Sequence, residues 1–539
     1  MALAIVYTRA SIGMNAPLVT VEAHISNGLP GLTLVGLPET AVKESRDRVR
    51  SALLNSGFEF PAKKMTINLA PADLPKEGGR YDLAIAIAIL ASSGQVPTKI
   101  LHQYEFLGEL ALSGHIRHVN GAIPAALAAL TQKRQLVLSS ENQYELNLLP
   151  DNSVKFAGTL LELCHFLYEK MTLSGNFHPT EIPEPPICDG NISDIIGQEQ
   201  GKRALEICAS GGHNLLLLGP PGTGKTMLAS RLKTLLPSLT PQEALEVASI
   251  HSLCHSSDLT SPWPPRPFRA PHHSASMAAL IGGGSLPKPG EISLAHNGIL
   301  FLDELPEFSR SVLDALREPL ESRQVIISRA KAKVCFPANF QLIAALNPSP
   351  TGQYQGDYCR SSSTKILRYL SRVSGPFLDR FDLSIEIPLL PLGTLSHQQY
   401  QSENSEQIRA RVILAREIQM KRMGKLNSQL TARETTNLCQ LTSKDSLFLE
   451  HALNKLGLSI RAWHRILRVA RTIADLQNTN NIEKPHLLEA LGYRAMDKLL
   501  LHLQKQVSWV AGEVVNESGI SVHSKWIYDD VAALITLAS

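Results

Sequence analysis

The chain has 539 residues, which is enough for roughly three or four domains with sizeable hydrophobic cores. Hydrophobic residues make up 44% of the sequence, charged residues 19% and aromatic residues 5%, and this ordinary usage argues against collagen-like, disordered and disulfide-scaffold proteins. The net charge of +3 is too small to indicate a polyanionic partner, so a nucleic-acid contact would have to rest on local basic patches.

Cysteine usage and the N-terminal sequence indicate the compartment. The 7 cysteines are scattered and include no C-x-x-C pair, which argues against a disulfide framework and a zinc ribbon. The first residues lack a basic stretch followed by a long apolar run, and no window reaches about 18 uninterrupted apolar residues. We therefore expect a cytoplasmic protein with no membrane segment.

Hydrophobic patterning divides the chain into regions of different secondary structure. Short β-like runs mix with helical stretches at first, apolar strands alternate with helices after a proline-rich spacer, and a helical pattern follows. The predicted segments, in chain order, are an N-terminal α+β domain at 1–175, a linker at 176–190, an α/β core at 191–395, a helical lid at 396–500 and a tail of unknown role at 501–539.

A glycine-rich loop at 219–226 fits the pattern G-x-x-x-x-G-K-[ST], directly after the apolar run 215–218 and just before a helical stretch. Glycines let backbone N–H groups turn toward phosphates, Lys225 reaches the β and γ phosphates, and Thr226 can bind Mg²⁺. The alternative is a chance glycine-rich turn. The residues predicted to bind ATP, with Mg²⁺ as second cofactor, are Gly219, Pro220, Pro221, Gly222, Thr223, Gly224, Lys225 and Thr226.

Two further apolar strands end in polar residues suited to ATP hydrolysis. Residues 299–302 lead into Asp303 and Glu304, which we predict to bind Mg²⁺ and to activate the attacking water, respectively. The alternative role of this pair is to cap the following helix. Residues 341–346 lead into Asn347, which would sense the γ phosphate; without the other motifs it would be a turn residue.

The order of these motifs resembles the AAA+ ATPases of the magnesium-chelatase and MCM-like branch. In those rings the arginine of a Leu-Asp-Arg-Phe-Asp segment acts in the neighbouring subunit's site, so the resemblance of residues 378–382 implies that role for Arg380. The alternative for Arg380 is a surface salt bridge with Asp379 or Asp382.

Other segments extend this resemblance. The segment 459–465 resembles the second sensor of the branch, which implies that Arg461 lies near the phosphates, and Gly197 with Gln198 resembles the adenine-side motif. Over residues 3–497 the chain resembles the ComM/YifB family of magnesium chelatase-like proteins, through segments 269–276, 288–298 and 369–376. The resemblance implies a hexameric ATP-driven DNA helicase with branch-migration activity. Such a protein acts in recombination, with recombination proteins as possible partners. It helps integrate incoming DNA during natural transformation.

Residues 324–336 contain two β-prone runs around a basic tip, which predicts a hairpin. In a ring, copies of this hairpin would line the pore and contact the backbone of single-stranded or branched DNA without sequence preference. The alternative is a solvated edge hairpin protected by its charge. Lys288 would serve similarly, although a loop lysine is usually just exposed. The predicted DNA-binding residues are Lys288, Arg329, Lys331 and Lys333.

Two further groups of polar residues have several interpretations. Arg465, Arg468 and Arg471 recur at a spacing of three on one helix face, which favours a solvated face at least as much as a DNA or subunit contact. His272 and His273 lie in a loop without further ligands nearby, so a hydrogen-bonding role is favoured over a metal site.

The sequence departs from its relatives at a loop where they often carry cysteine pairs that resemble a zinc knuckle. The corresponding positions are Ser349, Thr351, Cys359 and Ser361. Because one thiol cannot hold a tetrahedral zinc ion, we expect no zinc there.

The N-terminal domain, especially residues 74–90, resembles the Lon protease domain. Where Lon has its serine nucleophile this sequence has Arg80, and a guanidinium cannot attack a peptide carbonyl. We therefore expect a Lon-like fold without proteolysis, with Ser92 and Ser93 as the candidates for a displaced nucleophile. The alternative functions are a Lon-like ATP-dependent protease and a chelatase-like remodeller of a protein partner.

Overall fold

The computed structural model describes residues 2–36, 40–176, 190–254, 263–329, 332–352, 361–390 and 403–513. Within these ranges a mixed sheet with helices is followed by a parallel sheet flanked by helices and then by a helical region. The fold class predicted from the sequence pattern is therefore confirmed. No helix in these ranges is both long and apolar enough to cross a membrane.

The N-terminal sheet contains parallel and antiparallel neighbours, in the order β10-β9-β8-β5-β1-β2-β4-β3. Its strands are β1 (Ala2–Arg9), β2 (Leu18–Ser26), β3 (Gly31–Val35), β4 (Lys64–Ala70), β5 (Tyr104–Phe106), β8 (Gln135–Ser139), β9 (Val154–Ala157) and β10 (Ser174–Gly175), and a small hairpin joins β6 (Glu109–Leu110) to β7 (Ile116–Arg117). The helices are α1 (Thr40–Asn55), α2 (Asp82–Ser92), α3 (Ala122–Thr131) and α4 (Leu160–Leu167). Every residue of α2 is buried, because its sequence is apolar almost all round.

The central sheet is parallel throughout, with strand order β12-β15-β18-β11-β19. Its strands are β11 (Leu215–Leu218), β12 (Phe268–Arg269), β15 (Ile299–Leu302), β18 (Gln341–Leu346) and β19 (Leu383–Glu386). Strands β11, β15 and β18 are buried along their whole length, as their unbroken apolar sequences predict. Strand β11 lies between β18 and β19, so the chain reverses its direction of travel across the sheet at β11.

Helices and two hairpins surround the central sheet. The helices are α5 (Glu199–Gly211), α6 (Lys225–Leu235), α7 (Pro241–Ser252), α8 (Met277–Ile281), α9 (Glu291–Leu294), α10 (Arg310–Ala315), α11 (Arg317–Ser322), α12 (Ser363–Leu370) and α13 (Gly375–Leu378). The hairpins pair β13 (Gly282–Gly283) with β14 (Lys288–Pro289), and β16 (Gln324–Ser328) with β17 (Lys333–Pro337).

The helical region packs on the central sheet and shares one hydrophobic core with it. Ile466 and Val469 of this region belong to the same buried cluster as Leu215 of β11 and Leu205 of α5. The helices are α14 (Ser405–Met423), α15 (Ala432–Leu438), α16 (Ser443–Lys455), α17 (Ile460–Leu476), α18 (Lys484–Gly492) and α19 (Ala495–Glu513). The first residues of the predicted tail are thus the end of α19, and residues 514–539 lie outside the described part of the chain, as do 177–189 of the predicted linker.

The N-terminal region also packs against the central one. Ala122 and Ala126 of α3 share a buried cluster with Ala244 and Val247 of α7. Near the hairpin of β16 and β17, a β-carbon at Gly13 would lie 2.2 Å from Cγ1 of Val334, so only glycine fits this contact.

Candidate functional site

The glycine-rich loop joins β11 to α6. Gly222 and Gly224 have φ values of 78° and 86°, a left-handed conformation that glycine adopts without strain. Among the described residues, and apart from the chain neighbours, no atom lies within 4 Å of the position that a β-carbon would take at either glycine. At Gly219, by contrast, a β-carbon would lie 2.4 Å from the carbonyl oxygen of Ile387. The loop backbone is therefore packed at its base and open where phosphates would bind.

Lys225 begins α6, and its side chain turns back over the loop. Its Nζ donates hydrogen bonds to the carbonyl oxygens of Gly219 and Pro220, both at 2.8 Å, and to Oδ1 of Asn347 at 3.1 Å. Burial lowers the pKa of Lys225, while the charge of Asp303 acts in the opposite direction. These three acceptors are neutral, so the ammonium can exchange them for phosphate oxygens without breaking an ion pair.

Thr226 and Asp303 place two oxygen atoms side by side. Thr226 Oγ1 donates a hydrogen bond to Oδ2 of Asp303 at 2.7 Å, although the two residues are far apart in sequence. Hydroxyl and carboxylate oxygens are the ligands that Mg²⁺ prefers. The pair therefore fits the Mg²⁺ ion that accompanies ATP, and would hold it beside the glycine-rich loop.

Glu304 lies next to this pair in a strained backbone conformation. Its φ of 52° is left-handed, which costs about 1 kcal/mol for a residue that carries a β-carbon. Its Oε2 lies 3.1 Å from Nδ1 of His273, and the His273 ring packs edge-on against Phe308. The predicted water-activating carboxylate is therefore held by the loop that follows β12.

The predicted hydrogen-bonding role of the two neighbouring histidines is confirmed for His272. His273 contacts Glu304, and Nδ1 of His272 lies 2.7 Å from Oγ of Ser274. The contact between His273 and Glu304 escaped the sequence analysis, because nothing in the sequence indicated that β12 lies beside β15.

The phosphate-side residues come together because parallel neighbours present their carboxyl ends at one edge of the sheet. Strand β18 lies between β11 and β15, with Leu218 opposite Leu346 and Leu302 opposite Ala344. The structure brings together five residues that the sequence analysis placed at or after these strand ends. They are Lys225, Thr226, Asp303, Glu304 and Asn347.

The predicted adenine-side residues lie near the base of the loop. Gly197 and Gln198 have φ values of 64° and 55° just before α5, and Nε2 of Gln198 donates a hydrogen bond to the carbonyl oxygen of Pro388 at 2.8 Å. The preceding residue, Ile387, donates its backbone N–H to the carbonyl oxygen of Leu218 at 2.6 Å. Gln198 is thus linked, through the two residues that follow β19, to the strand that leads into the loop.

Arg380 and Arg461 lie at the opposite edge of the sheet. Asn214 immediately precedes β11, and its Nδ2 donates a hydrogen bond to the carbonyl oxygen of Arg380 at 2.9 Å. A strand rises about 3.3 Å per residue, so the length of β11 separates Arg380 from the glycine-rich loop. Arg461 lines the same cavity as Arg380. The expectation that Arg461 lies near the phosphates therefore does not hold within one chain.

The cavity that contains these two arginines has a volume of about 910 Å³ and is bordered by the core and the helical region. Arg380 forms an ion pair with Glu321 there, rather than with Asp379 or Asp382 as the salt-bridge alternative supposed. Its Nε has no hydrogen-bond partner among the residues that the structure describes. Arginines outnumber carboxylates among the lining residues, so the cavity suits an anionic group.

The predicted basic hairpin is formed by β16 and β17; its apolar residues are buried except Ile326, and Arg329 and Lys333 are exposed. Lys331, which was predicted to lie at its tip, is outside the described residues. The hairpin of β13 and β14 carries the exposed Lys288 and lies alongside, since a β-carbon at Gly283 would come within 3.3 Å of Nη2 of Arg329. The structure therefore brings the described cations of the predicted DNA site onto two adjacent hairpins.

The arginine face of α17 is not solvated, contrary to one of the two interpretations of its spacing. Arg465 is 5% exposed and Arg471 is 2% exposed, and Arg468 is half-buried. All three guanidinium groups donate to backbone carbonyls of neighbouring segments. The acceptors are those of Asp379 and Phe381 for Arg465, Ser428 and Leu430 for Arg468, and Thr479 and Asn480 for Arg471.

No serine and lysine pair is formed around the position that corresponds to the Lon nucleophile, within the described part of this domain. Arg80 is buried, its Nη1 donates to the carbonyl oxygen of Asn120 at 3.3 Å, and burial lowers its pKa. The remaining candidates are bonded to backbone carbonyls. These are Ser92 to Ile89, Ser93 to Leu90, and Lys76 to Gly36, Pro71 and Leu74.

At the loop where zinc is not expected, hydroxyl groups contact one another. Thr351 Oγ1 lies 3.2 Å from Oγ of Ser349 and 3.3 Å from Oγ of Ser361. Cys359 lies outside the described residues.

Three family models match the chain, and all describe magnesium chelatase. Residues 191–395 match "Magnesium chelatase, subunit ChlI", residues 21–142 match "Subunit ChlI of Mg-chelatase", and residues 402–494 match "Magnesium chelatase, subunit ChlI C-terminal". The first covers the glycine-rich loop and the carboxylates, and the third covers most of the helical region.

Known proteins resemble the chain over nearly its whole length. Competence protein ComM of Haemophilus influenzae is 60% identical over 511 residues, which cover 93% of this chain and 99% of that protein. Uncharacterized protein YifB of Escherichia coli is 58% identical, over 94% of this chain and 99% of that protein. The magnesium-chelatase 38 kDa subunit of Cereibacter sphaeroides is 25% identical, over 55% of this chain and 88% of that protein.

Proposed function

Because the chain belongs to the ComM/YifB family of magnesium chelatase-like AAA+ proteins, we propose that it is an ATP-driven motor that moves DNA strands. It works as a ring of six copies, as a helicase that drives branch migration in recombination. The name of the Haemophilus influenzae relative, a competence protein, supports a role in the integration of incoming DNA during natural transformation. Membership of the family suggests ATPase activity, and the DNA-directed activity is the proposal.

The observation that carries the proposal is that Arg380 lies apart from the glycine-rich loop within one chain. Lys225 and Glu304 lie at one edge of the central sheet, and Arg380 lies at the other, in a cavity rich in arginine. A head-to-tail interface joins two different surfaces of identical copies, and repetition of that interface closes a ring. In such a ring Arg380 and Arg461 of one copy meet the triphosphate held by the next.

Binding of ATP relies on residues of one copy. The N–H groups of the glycine-rich loop and Lys225 hold the β and γ phosphates, and Gly197 and Gln198 lie on the adenine side. Thr226 and Asp303 would hold Mg²⁺, which when bound neutralises charge on the phosphate oxygens.

Hydrolysis needs both copies. Glu304 accepts a proton from the attacking water, and Asn347, which contacts Lys225, orients that water and the γ phosphate. Arg380 of the next copy stabilises the negative charge that develops on the transferred phosphoryl group. Hydrolysis therefore reports on ring assembly.

The two adjacent hairpins supply the DNA contact. Arg329, Lys333 and Lys288 are exposed, and each would contribute a phosphate contact that carries no sequence information. Helix α8 connects the loop of His273 directly to β13, so the hairpins are covalently close to the residue that contacts Glu304. This proximity supports a motor in which DNA and the hydrolytic site affect each other.

A Lon-like protease fits the described contacts poorly. A serine nucleophile needs a base within hydrogen-bond reach, and Ser92, Ser93 and Lys76 are each bonded to backbone carbonyls. A chelatase-like remodeller of a protein partner would share the ATP site, but it has no need for exposed cations on the two hairpins.

The test is the ATPase rate of the purified protein with and without single-stranded and forked DNA, at increasing salt. A DNA-driven motor hydrolyses ATP faster with DNA, and loses that stimulation steeply as salt rises. The proposal fails if the rate is the same with and without DNA at low salt. Degradation of casein with ATP would instead support the protease.

A further inference from the structure

The loop that carries Arg380 is held from two sides, and one of the two is the helical region. On the core side, Asn214 donates to the carbonyl oxygen of Arg380, and Asp382 donates its backbone N–H to the carbonyl oxygen of Asn214 at 3.0 Å. On the other side, Arg465 of α17 donates a hydrogen bond to the carbonyl oxygen of Asp379 in the same loop. The position of Arg380 therefore depends on how the helical region sits on the core.

The contacts of Arg465 bracket Arg380. Nη1 of Arg465 donates to the carbonyl oxygens of Asp379 at 2.8 Å and Phe381 at 3.2 Å, and Nη2 donates to Oδ1 of Asp379 at 2.8 Å. One planar guanidinium thus binds the residues immediately before and after Arg380. Such a fork fixes both distance and orientation, which a single hydrogen bond does not.

Arg465 is separate from the nucleotide site of its own chain. It lines the same cavity as Arg380, at the amino end of β11, and its side chain is 6% exposed. Its guanidinium is occupied by the Asp379 to Phe381 segment. It is therefore placed to act through Arg380 rather than on a phosphate.

We propose that Arg465 is a positioning residue, which fixes from the helical region the segment that presents Arg380 to the nucleotide of the neighbouring copy. This inference rests on the proposed ring. It means that the helical region of one subunit affects the nucleotide site of the next subunit, because any shift of α17 is transmitted to Arg380 through three hydrogen bonds.

Single variants give the first measurement. In the variant Arg465→Ala we expect an unchanged Kd for ATP at the variant's own Lys225, measured with a fluorescent ATP analogue. We expect kcat to fall by about 10- to 100-fold, because a displacement of Arg380 by about 1 Å has an effect of this size. Arg465→Lys gives a smaller loss, because an ammonium cannot bracket Arg380 as a planar fork does. As a matched control, Arg471→Ala removes a buried arginine of the same helix that bonds only within the helical region in the contacts described; it lowers Tm but not kcat.

Mixing of subunits decides whether Arg465 acts across the interface. In an equal mixture of Arg465→Ala and Lys225→Ala subunits, about a quarter of the interfaces join an intact Lys225 to an intact Arg465, so ATPase activity rises above that of either variant alone. A residue that serves its own site, or one whose loss unfolds the subunit, gives no such rise. The same mixture with Arg465→Lys keeps the test valid if the alanine variant does not fold.

A parallel mixture of Arg380→Ala with Lys225→Ala separates the two proposals. If this mixture gains activity and the Arg465 mixtures do not, the positioning role is overturned and the shared site stands. If none of the mixtures gains activity, the site between copies is overturned, and the role of Arg465 with it.

Discussion

Glu304 combines two features that a residue handling a proton needs, a fixed backbone and a held carboxylate. Its left-handed φ is imposed by the turn after β15, and His273 contacts one of its carboxylate oxygens. The carboxylate is thereby fixed next to Asp303, at the edge of the sheet where the γ phosphate would lie.

The replacement Glu304→Gln tests this role at the level of one atom. Glutamine keeps the shape of the side chain but cannot accept the proton, so kcat for ATP falls by about 10²- to 10⁴-fold while ATP binding is retained. A steady-state ATPase assay with a binding titration measures both quantities. Hydrolysis near the wild-type rate would show that another group activates the water.

Asp382 anchors the segment of Arg380 to the start of β11 by charge as well as by hydrogen bonds. Burial alone would raise the pKa of its carboxyl, but the contact with His213 and the charges of Arg468 and Arg465 lower the pKa to about 2. Because the folded pKa lies below the unfolded value near 3.8, the ionised group stabilises the folded state above about pH 4, and this contribution is lost as pH falls through about 2.

The free energy of unfolding of Asp382→Asn should therefore depend less on acid than that of the wild type. The difference between the free energies of unfolding of the two proteins is expected to narrow by about 2 kcal/mol between pH 5 and pH 2. Urea unfolding followed by circular dichroism measures it. A difference that stays constant across this range would contradict the assigned ionisation.

Among the elements, the hairpins of β13 with β14 and of β16 with β17 form the most distinctive surface of the core. Glycines of the first hairpin allow close approach, and in the second hairpin buried apolar residues alternate with exposed residues that include Ile326 and Lys333. The two β-prone runs on either side of a basic segment made the second hairpin predictable. Its contact with the first was not, because a two-residue strand such as β14 leaves no pattern in a sequence.

The double replacement Arg329→Ala with Lys333→Ala removes two exposed cations from the second hairpin. We expect weaker DNA binding for all sequences alike, and a salt dependence of the binding constant reduced by about 1 for each lost phosphate contact. The measurement is fluorescence anisotropy with labelled single-stranded DNA over a range of salt concentrations. As a matched control, Lys99→Ala with Lys444→Ala removes two exposed lysines from other elements.

Equal loss of DNA affinity in the hairpin variant and in this control would mean that overall charge, rather than the hairpins, determines DNA binding. Basal ATPase activity should be unchanged in both, because none of the four side chains contacts the glycine-rich loop in the described contacts.

For the whole molecule, the strands and the residues at their ends were easier to predict from the sequence than the tertiary position of individual side chains. Residues at the ends of buried strands, such as Asp303 and Asn347, could be predicted because a short apolar run fixes both the strand and its exposed end. Arg380 and Arg461 could not be placed, since their position at the far edge of the sheet depends on how the helical region packs on the core. The buried arginines of α17 were ambiguous for the same reason.

The separation of Arg380 from Lys225 within one chain is the basis of the proposal that the molecule acts as a motor only when copies assemble, with motion of DNA strands as the output. The most direct measurement is displacement of a labelled strand from a forked DNA by purified wild-type protein, with Glu304→Gln and Arg380→Ala as comparisons. The proposed function predicts ATP-dependent displacement by the wild type and none by either variant. Normal ATPase activity of the wild type with no strand displacement, on forked or four-way DNA, would contradict it.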